Sequence, residues 1–358
     1  MSNTCLAAVA TAPDTMEIQE FKLPEIGAED ALMKVESVGL CGADSFRYKN
    51  ITEPMILGHE CVGIIARIGN KAAARWGVKE GDRVVIEEPF PCGRCKVCRT
   101  SIYHLCVNGG RYGQIPVSVA PSLWGGFSEY MYLHPNSLVY KIAPHVKRQI
   151  APMFIPISNG IRWVQEVGGL NFGGTVVIQG PGQHGLGCVI AAKLMGAGCI
   201  IVTGMGQDQK RLEVAKALGA HYTINVEEED PLESVAKITS GDMADLVIDI
   251  TTGSTMPVIL SMEMARIGGT IVLAGAKNKP VPDFMSDKIF KKELTIKGVY
   301  GRDYRAVEPA IKLIESKTVP LEMLATHEYS LKETDYAMKV FAGEIKTGVA
   351  PIHVSLLL

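Results

Sequence analysis

The chain carries almost no net charge, since 36 basic residues face 38 acidic ones and give a formal charge of −2. This balance excludes the electrostatic attraction on which binding to nucleic acid or to an anionic membrane depends. No Lys or Arg precedes Lys22, so the N-terminal stretch lacks the basic region of a secretory signal, and we expect a cytoplasmic protein. The most apolar window, 185–206, is interrupted by Lys193 and several glycines, which argues against a membrane span.

The sequence also lacks internal repeats and low-complexity linkers, and its 37 glycines follow no three-residue period. These absences, together with 47% apolar and 21% charged residues, exclude the fibrous and disordered classes. A length of 358 residues is too great for one ordinary hydrophobic core and suits two domains.

The hydrophobic pattern changes near residue 150. Before it, short apolar runs such as 31–38, 62–68 and 83–86 are separated by turn residues, which is typical of β-rich structure. After it, β-branched runs alternate with helical patterns, which predicts βαβ units and a parallel sheet. We therefore expect an α/β protein in which residues 151–294 form a doubly wound parallel sheet, inserted into a β-rich domain made of 1–150 and 295–358.

The first strand of the predicted parallel sheet runs into a glycine-rich loop, GPGQHGLG at 180–187. Gly180 allows a tight turn, Gly182 lets the backbone approach a pyrophosphate, and Gly185 lets the next helix close on the strand. Gly187 follows in that helix, whose N-terminus favours phosphate. A glycine-rich turn alone is a weak signal, but the strand before it and the helix after it indicate dinucleotide binding.

The end of the second strand bears on the choice between NAD and NADP. An acidic residue there would bind the ribose 2′-hydroxyl of NAD, but the strand runs into Gly204 and no carboxylate precedes Asp208. Lys210 and Arg211 follow and could hold the 2′-phosphate of NADP, which the sequence therefore slightly favours. Alternatively, both cations are solvated on a helix face and Asp208 caps the helix.

Four cysteines, Cys92, Cys95, Cys98 and Cys106, crowd into one predicted loop, which we place in a lobe spanning 87–108. Thiolates in fours suit a structural Zn²⁺, which they surround as a tetrahedron without leaving a position for chemistry. Disulfides between such close neighbours would be strained, and the expected compartment is reducing. An iron–sulfur cluster also uses four cysteines and stays open as an alternative.

Six motifs occur in a fixed order along nearly the whole chain: GLCGAD at 39–44, GHE with a further glycine at 58–63, GDRV at 81–84, the four cysteines, GGF with EY at 125–130, and the glycine loop. Their order resembles that of the zinc-dependent medium-chain alcohol dehydrogenases, and PISN at 156–159 is similar to the threonine and polyol dehydrogenase branch. The resemblance implies a GroES-like catalytic domain, a Rossmann domain, and assembly into homodimers or homotetramers. It also implies hydride transfer between nicotinamide and an alcohol or carbonyl bound at zinc.

The resemblance assigns a catalytic zinc site residue by residue. Cys41 and His59 match the first two ligands, Glu60 matches a neighbouring acid that can approach the metal, and Asp44 matches a carboxylate that hydrogen-bonds the ligand histidine. Such a carboxylate fixes the orientation and tautomer of the imidazole. Two ligands alone would not hold zinc, so a third is needed.

Three catalytic positions of the family are changed together in this chain. The third ligand of the family falls on Ile155, the hydroxyl that relays the proton falls on Ala43, and Phe46 stands where the related branch often has a histidine. Either Glu60 completes the zinc ligands, or the site binds zinc poorly or not at all.

These residues leave three hypotheses. The leading one is a zinc-dependent, NAD(P)-linked alcohol dehydrogenase or carbonyl reductase acting on a bulky or aryl alcohol, with Phe46, Tyr48 and Trp124 as candidate pocket walls. The second is an NADPH-dependent reductase of an activated C=C or C=N bond that uses no catalytic zinc. The third is a dinucleotide-binding protein without catalytic activity.

Overall fold

The computed structural model describes residues 3–358. In chain order its strands are β1 (Thr4–Ala12), β2 (Thr15–Lys22), β3 (Ala31–Gly39), β4 (Met55–Ile56), β5 (Glu60–Ile68), β6 (Arg83–Ile86), β7 (Pro89–Phe90), β8 (Gly110–Arg111), β9 (Tyr130–Leu133), β10 (Val139–Lys141), β11 (Thr175–Gln179), β12 (Cys199–Gly204), β13 (Tyr222–Asn225), β14 (Ala244–Asp249), β15 (Ala265–Leu273), β16 (Thr295–Gly298), β17 (Ala325–Ser330) and β18 (His353–Leu357).

The helices are α1 (Gly42–Lys49), α2 (Asn70–Trp76), α3 (Lys96–Arg99), α4 (Phe154–Ile161), α5 (Gln183–Leu194), α6 (Gln209–Leu218), α7 (Pro231–Ile238), α8 (Met256–Met264), α9 (Asp287–Lys291), α10 (Tyr304–Ser316) and α11 (Thr334–Phe341). A π-helical segment, Arg162–Val167, continues directly from α4. Within residues 3–358, we find no helix with the length and apolar character that crossing a membrane requires.

The chain divides into two compact units, residues 1–155 with 311–358 and residues 156–310. Both divisions lie later than the sequence suggests, at 155/156 rather than 150/151 and at 310/311 rather than 294/295. The first division falls within α4 and the second within α10. Residues 295–310 fall with the second unit because β16 is the last strand of the parallel sheet.

The first unit is built on antiparallel pairing around a large apolar core. Its main sheet has the order β10-β6-β5-β3-β18-β17, with β9 also paired to β3, and a smaller sheet has the order β2-β1-β4. Strand β3 is buried along most of its length because it pairs on both sides, with β5 on one edge and with β9 and β18 on the other. This pairing brings the C-terminal strand beside the first motifs of the chain.

The second unit is a six-stranded parallel sheet with the order β13-β12-β11-β14-β15-β16. Val176, Val177 and Ile178 of β11 are buried because helices cover a doubly wound sheet on both faces. The strand order reverses at β11, and ligands of such sheets bind at the carboxyl ends of the strands beside that reversal. The glycine loop follows β11 and lies at this position.

One helix is shorter than the helical pattern of its sequence. The helical pattern at 256–267 ends in the structure at Met264, and Ala265 already pairs with Ala244 in the parallel sheet. Sheet pairing therefore overrides the local helical preference of the last three residues.

Candidate active site

Three adjacent features of the first unit bring Cys41, His59 and Glu60 together. Cys41 follows β3 and caps the N-terminus of α1, while Glu60 begins β5. The antiparallel register pairs Gly39 with Glu60, so the end of β3 and the start of β5 lie side by side. The side chains of Cys41, His59 and Glu60 each offer a ligand atom within 4.8 Å of the others, and all three are buried.

Asp44 fixes the orientation of His59. Its Oδ1 lies 3.1 Å from His59 Nδ1, and the carboxylate also accepts hydrogen bonds from the backbone amides of Cys41 and Gly58. The carboxylate is fully buried. With Nδ1 used in this way, His59 offers Nε2 as the ligand atom, which is the arrangement that metal-binding histidines favour.

The chemistry of this cluster fits a zinc ion. A thiolate, an imidazole and a carboxylate are all zinc ligands, and three protein ligands with one open position are typical of catalytic zinc sites. A thiolate and a carboxylate buried this close together carry like charges, which a bound cation would compensate. Cys41, His59 and Glu60 are therefore the residues that would hold a catalytic zinc ion.

The pKa values of the cluster describe its metal-free form. Burial opposes ionisation of Asp44, but the charge and hydrogen bond of His59, the charge of Arg47 and the Cys41 amide together outweigh it and hold the pKa of the carboxyl below its usual range. Burial likewise opposes protonation of His59, yet the charges of Asp44 and Glu88 raise its pKa well above the usual value. Burial raises the pKa of the Cys41 thiol. A metal ion would reverse the last two effects, since its ligands bind as thiolate and neutral imidazole.

Sequence analysis missed Gly39 and His353. A side chain at position 39 would bring its Cβ to 2.5 Å from Glu60 Oε2 and 2.7 Å from His353 Cε1. His353 begins β18, which runs beside β3, and burial lowers the pKa of this imidazole to about 4. Gly39 therefore leaves the room that the Glu60 carboxylate and a neutral His353 occupy.

The other residues that the sequence places near the substrate pocket differ in how deeply they are buried. Ile155 is 1% exposed and Ala43 is half-buried, whereas Phe46 is 54% exposed. Tyr48 is fully buried, and its hydroxyl lies 2.5 Å from Asp335 Oδ1. Trp124 is also buried and donates its indole N–H to the Val119 carbonyl. Tyr48 and Trp124 are thus tied into the packing of the first unit.

The four lobe cysteines form a compact cluster. Cys95 Sγ lies 3.4 Å from Cys98 Sγ and 3.8 Å from Cys106 Sγ, and Cys92 Sγ lies 3.9 Å from Cys98 Sγ. Four thiolates around one zinc ion stand about 3.8 Å apart, given Zn–S bonds of about 2.3 Å. Backbone hydrogen bonds lower the pKa of Cys92 to about 6, whereas burial raises that of Cys98 to about 12. The spacing fits a structural zinc ion.

The second unit places the four loop glycines in different surroundings. Gly180 has a φ of +104°, which side chains rarely adopt, and a Cβ on Gly185 would lie 1.9 Å from the Gly180 carbonyl oxygen. A Cβ on Gly187 would lie 2.3 Å from the Pro156 carbonyl oxygen. Gly182, at the N-cap of α5, has open space around its Cα. The loop thus turns sharply, packs its helix closely and leaves open space beside one backbone position.

The cations after β12 are paired with acids. Lys210 Nζ lies 3.0 Å from Glu213 Oε2, and an Arg211 terminal nitrogen lies 2.7 Å from Asp208 Oδ1. Gly204 ends β12 in tight packing, since a Cβ there would lie 2.9 Å from Pro181. Lys210 is an exposed residue of α6, so its position also suits a solvated ion pair.

Comparison with known proteins agrees with both halves of this description. The profile of the alcohol dehydrogenase GroES-like domain matches residues 27–144, and that of the zinc-binding dehydrogenases matches residues 185–316. A probable alcohol dehydrogenase of Mycobacterium tuberculosis is 38% identical over 97% of this chain and 96% of its own. Sorbitol dehydrogenase of Bacillus subtilis is 32% identical over 93% and 92% of the two chains.

The chain belongs to the zinc-dependent medium-chain alcohol dehydrogenases. Solved structures agree with this assignment. An alcohol dehydrogenase of Thermotoga maritima superposes with a TM-score of 0.89 at 26% identity, covering 99% of this chain and 100% of that one. One from Thermus sp. ATN1 gives 0.86 at 28% identity, covering 98% and 99%. The protein is therefore an oxidoreductase with a GroES-like and a Rossmann domain, which confirms the predicted family, fold class and enzyme class.

Sequence analysis did not identify two further groups of charged residues in this dehydrogenase, and both lie in the second unit. Asp249 ends β14 and is fully buried, and Lys277 lies 2.8 Å from its Oδ2. The same ammonium group donates to the Thr251 hydroxyl at 2.7 Å. A Cβ on Gly180 would lie 3.3 Å from Thr251 Cγ2, so this ion pair supports the edge at which the glycine loop turns.

The second group surrounds the start of α10. Asp303 is fully buried and lies 2.7 Å from an Arg305 terminal nitrogen and 3.5 Å from Arg162 Nε. Beside it, Arg302 is only 5% exposed, and its Nε and one terminal nitrogen have no hydrogen-bond partner among residues 3–358. In the sequence, only the order of charges in RDYR at 302–305 points to this network. Its other partners lie in a helical segment about 140 residues earlier, for which the sequence pattern predicts no helix.

Proposed function

We propose that this dehydrogenase is zinc-dependent and NAD(P)-linked, and that it transfers hydride between nicotinamide and a bulky or aryl alcohol or its carbonyl. The observation that supports the proposal is the buried cluster of Cys41, His59 and Glu60, with their ligand atoms within 4.8 Å. Glu60 takes the place of the ligand that Ile155 cannot provide. The reaction class itself is that of the family.

The residues of the site divide the work between binding and positioning. When bound, Zn²⁺ supplies a Lewis acid that lowers the pKa of an alcohol hydroxyl. Cys41, His59 and Glu60 hold the metal, and Asp44 keeps the His59 ring in one orientation and one tautomer. The glycine loop leaves room at Gly182 for the cofactor pyrophosphate.

An apolar substrate is supported by the residues changed relative to the family. Ile155 and Ala43 replace a charged or sulfur ligand and a hydroxyl, and they leave an alkyl surface where polar atoms would stand. Such a surface gives no hydrogen bond to a polyol. An aryl or branched group therefore loses less binding free energy there than a polyol does. Two relatives are named sorbitol dehydrogenase and erythritol/L-threitol dehydrogenase. Polyols are therefore the substrates against which aryl and branched alcohols should be compared.

The deciding experiment is elemental analysis of zinc on protein purified without added metal, followed by an alcohol panel. Two zinc ions per chain, with turnover of aryl or branched secondary alcohols, would support the proposal. Cys41→Ser should then remove one zinc ion and lower kcat, whereas Cys199→Ser, which changes a cysteine outside both clusters, should change neither. Full activity of Cys41→Ser would refute a metal mechanism.

A second candidate function follows from the same changed residues. With Ile155 and Ala43 in place of a ligand and a relay hydroxyl, the enzyme would reduce an activated C=C or C=N bond with NADPH and without a catalytic zinc. One zinc ion per chain, activity that survives a chelator, and turnover of enones but not alcohols would support this alternative. Zinc-dependent turnover of alcohols would exclude it.

We propose further that the protein is a cytoplasmic homodimer or homotetramer. None of its nine cysteines forms a disulfide in the structure, which is typical of proteins from reducing compartments. Large apolar side chains of the segment 267–290 are exposed, among them Ile267, Met285 and Phe290. Apolar surface of this kind favours burial against a second subunit.

A further inference from the structure

The acid that would recognise the ribose 2′-hydroxyl is missing from the second strand of the parallel sheet. A Rossmann domain that selects NAD carries this acid about 20 residues beyond its glycine loop. In this chain the stretch contains Gly204, Met205 and Gly206, which have no carboxylate. The sequence alone therefore slightly favours NADP.

Glu227 brings a carboxylate to the same place from the next strand. Strands β12 and β13 are parallel, and Gly204 pairs with Asn225, so the loops that follow them are neighbours. The Gly206 amide donates to Glu227 Oε2 at 2.7 Å. A side chain at position 206 would place its Cβ 2.9 Å from the same oxygen. The Glu227 carboxylate thus fills the space in which a side chain of residue 206 would begin.

The backbone around Glu227 is fixed by the turn that ends β13. Its amide donates to Asn225 Oδ1 at 3.1 Å, and the amides of Glu228 and Glu229 donate to the Asn225 carbonyl. The Val226 amide donates to the Gly204 carbonyl at 2.9 Å. Glu227 is itself exposed, and within residues 3–358 no hydrogen bond to its Oε1 is found. One oxygen of this exposed carboxylate is therefore held in place by the Gly206 amide.

The charges nearby oppose a 2′-phosphate. Lys210 and Arg211 are the two cations that could bind it, but they pair with Glu213 and Asp208. A phosphate placed beside Glu227 would face a like charge, whereas a hydroxyl would donate a charge-assisted hydrogen bond to it.

We infer that Glu227 is the residue that selects NAD over NADP, by accepting a hydrogen bond from the ribose 2′-hydroxyl. This inference rests on the proposed cofactor site at the glycine loop. It replaces the preference for NADP that the sequence alone suggested, and it places the selecting acid after the third strand of the sheet rather than the second.

The test is binding of NADH and NADPH to the full chain by calorimetry, which needs no substrate. We expect the wild type to bind NADH at least 10-fold more tightly, because one charge-assisted hydrogen bond is worth about that much. Glu227→Gln should weaken NADH about 10-fold and bring the two affinities together. Glu228→Gln, a change of the neighbouring exposed acid, should leave both affinities unchanged.

Three outcomes separate the inference from the proposed function. If Glu227→Gln weakens both nucleotides equally, Glu227 only holds the loop, and the inference is wrong while dinucleotide binding stands. Tighter binding of NADPH by the wild type would overturn the inference in the same way. If neither nucleotide binds, the proposed dehydrogenase function fails together with the inference.

A double variant tests the position of the charge directly. Glu227→Ala should lose the preference for NADH, and adding Gly206→Asp should restore it, because the new carboxylate would enter the vacated space. Gly206 does not have the positive φ that would forbid a side chain. Failure of Gly206→Asp to restore the preference, in protein with unchanged thermal stability, would argue against a role in ribose recognition.

Discussion

At the scale of single residues, Gly39 leaves the room that the Glu60 carboxylate occupies in the proposed metal site. Gly39→Ala would force its Cβ to within 2.5 Å of Glu60 Oε2, closer than real contacts allow. We expect the Glu60 carboxylate to be displaced, so that the protein retains one zinc ion per chain instead of two and kcat falls at least 10-fold. Zinc analysis and steady-state kinetics measure both effects.

Gly42→Ala is the matched control for this prediction. Gly42 lies three residues further along, at the start of α1, and has nothing within 4 Å of the position of a Cβ. Alanine there should keep both zinc ions and gain up to about 1 kcal/mol in helix stability. Two zinc ions in Gly39→Ala would mean that Glu60 is not a ligand.

Asp44 gives a second residue-scale prediction. Asp44→Asn would keep the shape of the side chain but remove the charge that orients His59. Loss of such an orienting carboxylate lowers metal affinity by about 10- to 100-fold. Competition with a chelator of known affinity measures the change, and Asp14→Asn, in an exposed turn, should leave zinc binding unaltered. Unchanged affinity in Asp44→Asn would show that the hydrogen bond does not tune the site.

The sequence could suggest Cys41, His59 and Glu60 because all three lie in short motifs. It could not suggest His353, whose place beside Gly39 depends on β18 pairing with β3. Nor could it suggest Glu227, because a hydrogen bond to Gly206 depends on which strand lies next to β12. The family resemblance assigns ligands that lie in short motifs, whereas contacts between distant segments are decided by strand order.

At the scale of elements, the cysteine lobe is a candidate for local metal-dependent folding. The segment around α3 has four helical residues, none of them buried, so packing contributes little to its order. We expect Cys98→Ser to lose one zinc ion and to expose residues 92–106 to proteolysis, with the core strands still folded. Mass spectrometry of the first cleavage site, set against circular dichroism, tests this. Cleavage spread evenly over the chain would contradict a local role.

The ion pairs of Asp303, at the start of α10, make the stability of the folded protein depend on pH. Burial opposes ionisation of Asp303, but Arg305 and Arg162 outweigh it and hold the pKa of the carboxyl below its usual range. A depressed pKa stabilises the folded state above the usual carboxyl value of about 3.9, and this stabilisation is lost as the pH falls through the folded-state pKa.

The expected difference is measurable by denaturant unfolding. Asp303→Asn keeps a cap for the Arg305 amide but removes the buried charge, and should cost about 3 kcal/mol near pH 7. The difference between wild type and variant should stay constant from neutral pH down to about pH 5 and shrink below about pH 4. Asp287→Asn, in an exposed pair with Lys291, should change stability by less than about 1 kcal/mol. A difference for Asp303→Asn that does not vary with pH would exclude the ion pair as its source.

The periodicity of apolar residues predicts much of the secondary structure, but it does not predict where each helix and strand ends. Strand β11, helix α5 and strand β12 follow their sequence patterns closely because buried β-branched runs and glycine signals flank each of them. The helical segment at 154–167 went unrecognised because Pro156 and Gly160 are weak helix formers. Gly160 is tolerated because its helix packs against Gly187, where a Cβ would meet backbone at 2.3 Å.

At the scale of the whole molecule, each unit has its own core and its own candidate site. The core of the first unit surrounds β3 and includes residues from both ends of the chain, whereas that of the second lies within residues 177–294. The proposed metal site depends on antiparallel pairing in one unit, and the proposed cofactor site depends on parallel strand ends in the other. The division explains why the motifs for zinc and for dinucleotide do not overlap in the sequence.

The sheet of the second unit also bears on assembly. Strand β16 lies at an edge of that sheet, where backbone groups on one side find no strand within the unit. Three of its four residues are exposed, and Ile267 and Phe290 are 71% and 67% exposed. An edge strand close in sequence to large exposed apolar side chains is a surface that a second subunit would cover.

We therefore expect light scattering to give twice or four times the chain mass of 38.6 kDa. Ile267→Lys combined with Phe290→Lys should reduce the assembly to smaller species, because lysine at a buried contact lacks a partner for its charge. Phe172→Lys changes a side chain that is 89% exposed and lies outside this segment, so it should leave the mass unchanged. If the double variant keeps the wild-type mass while Phe172→Lys lowers it, subunits meet elsewhere, and the exposed residues of 267–290 need another explanation.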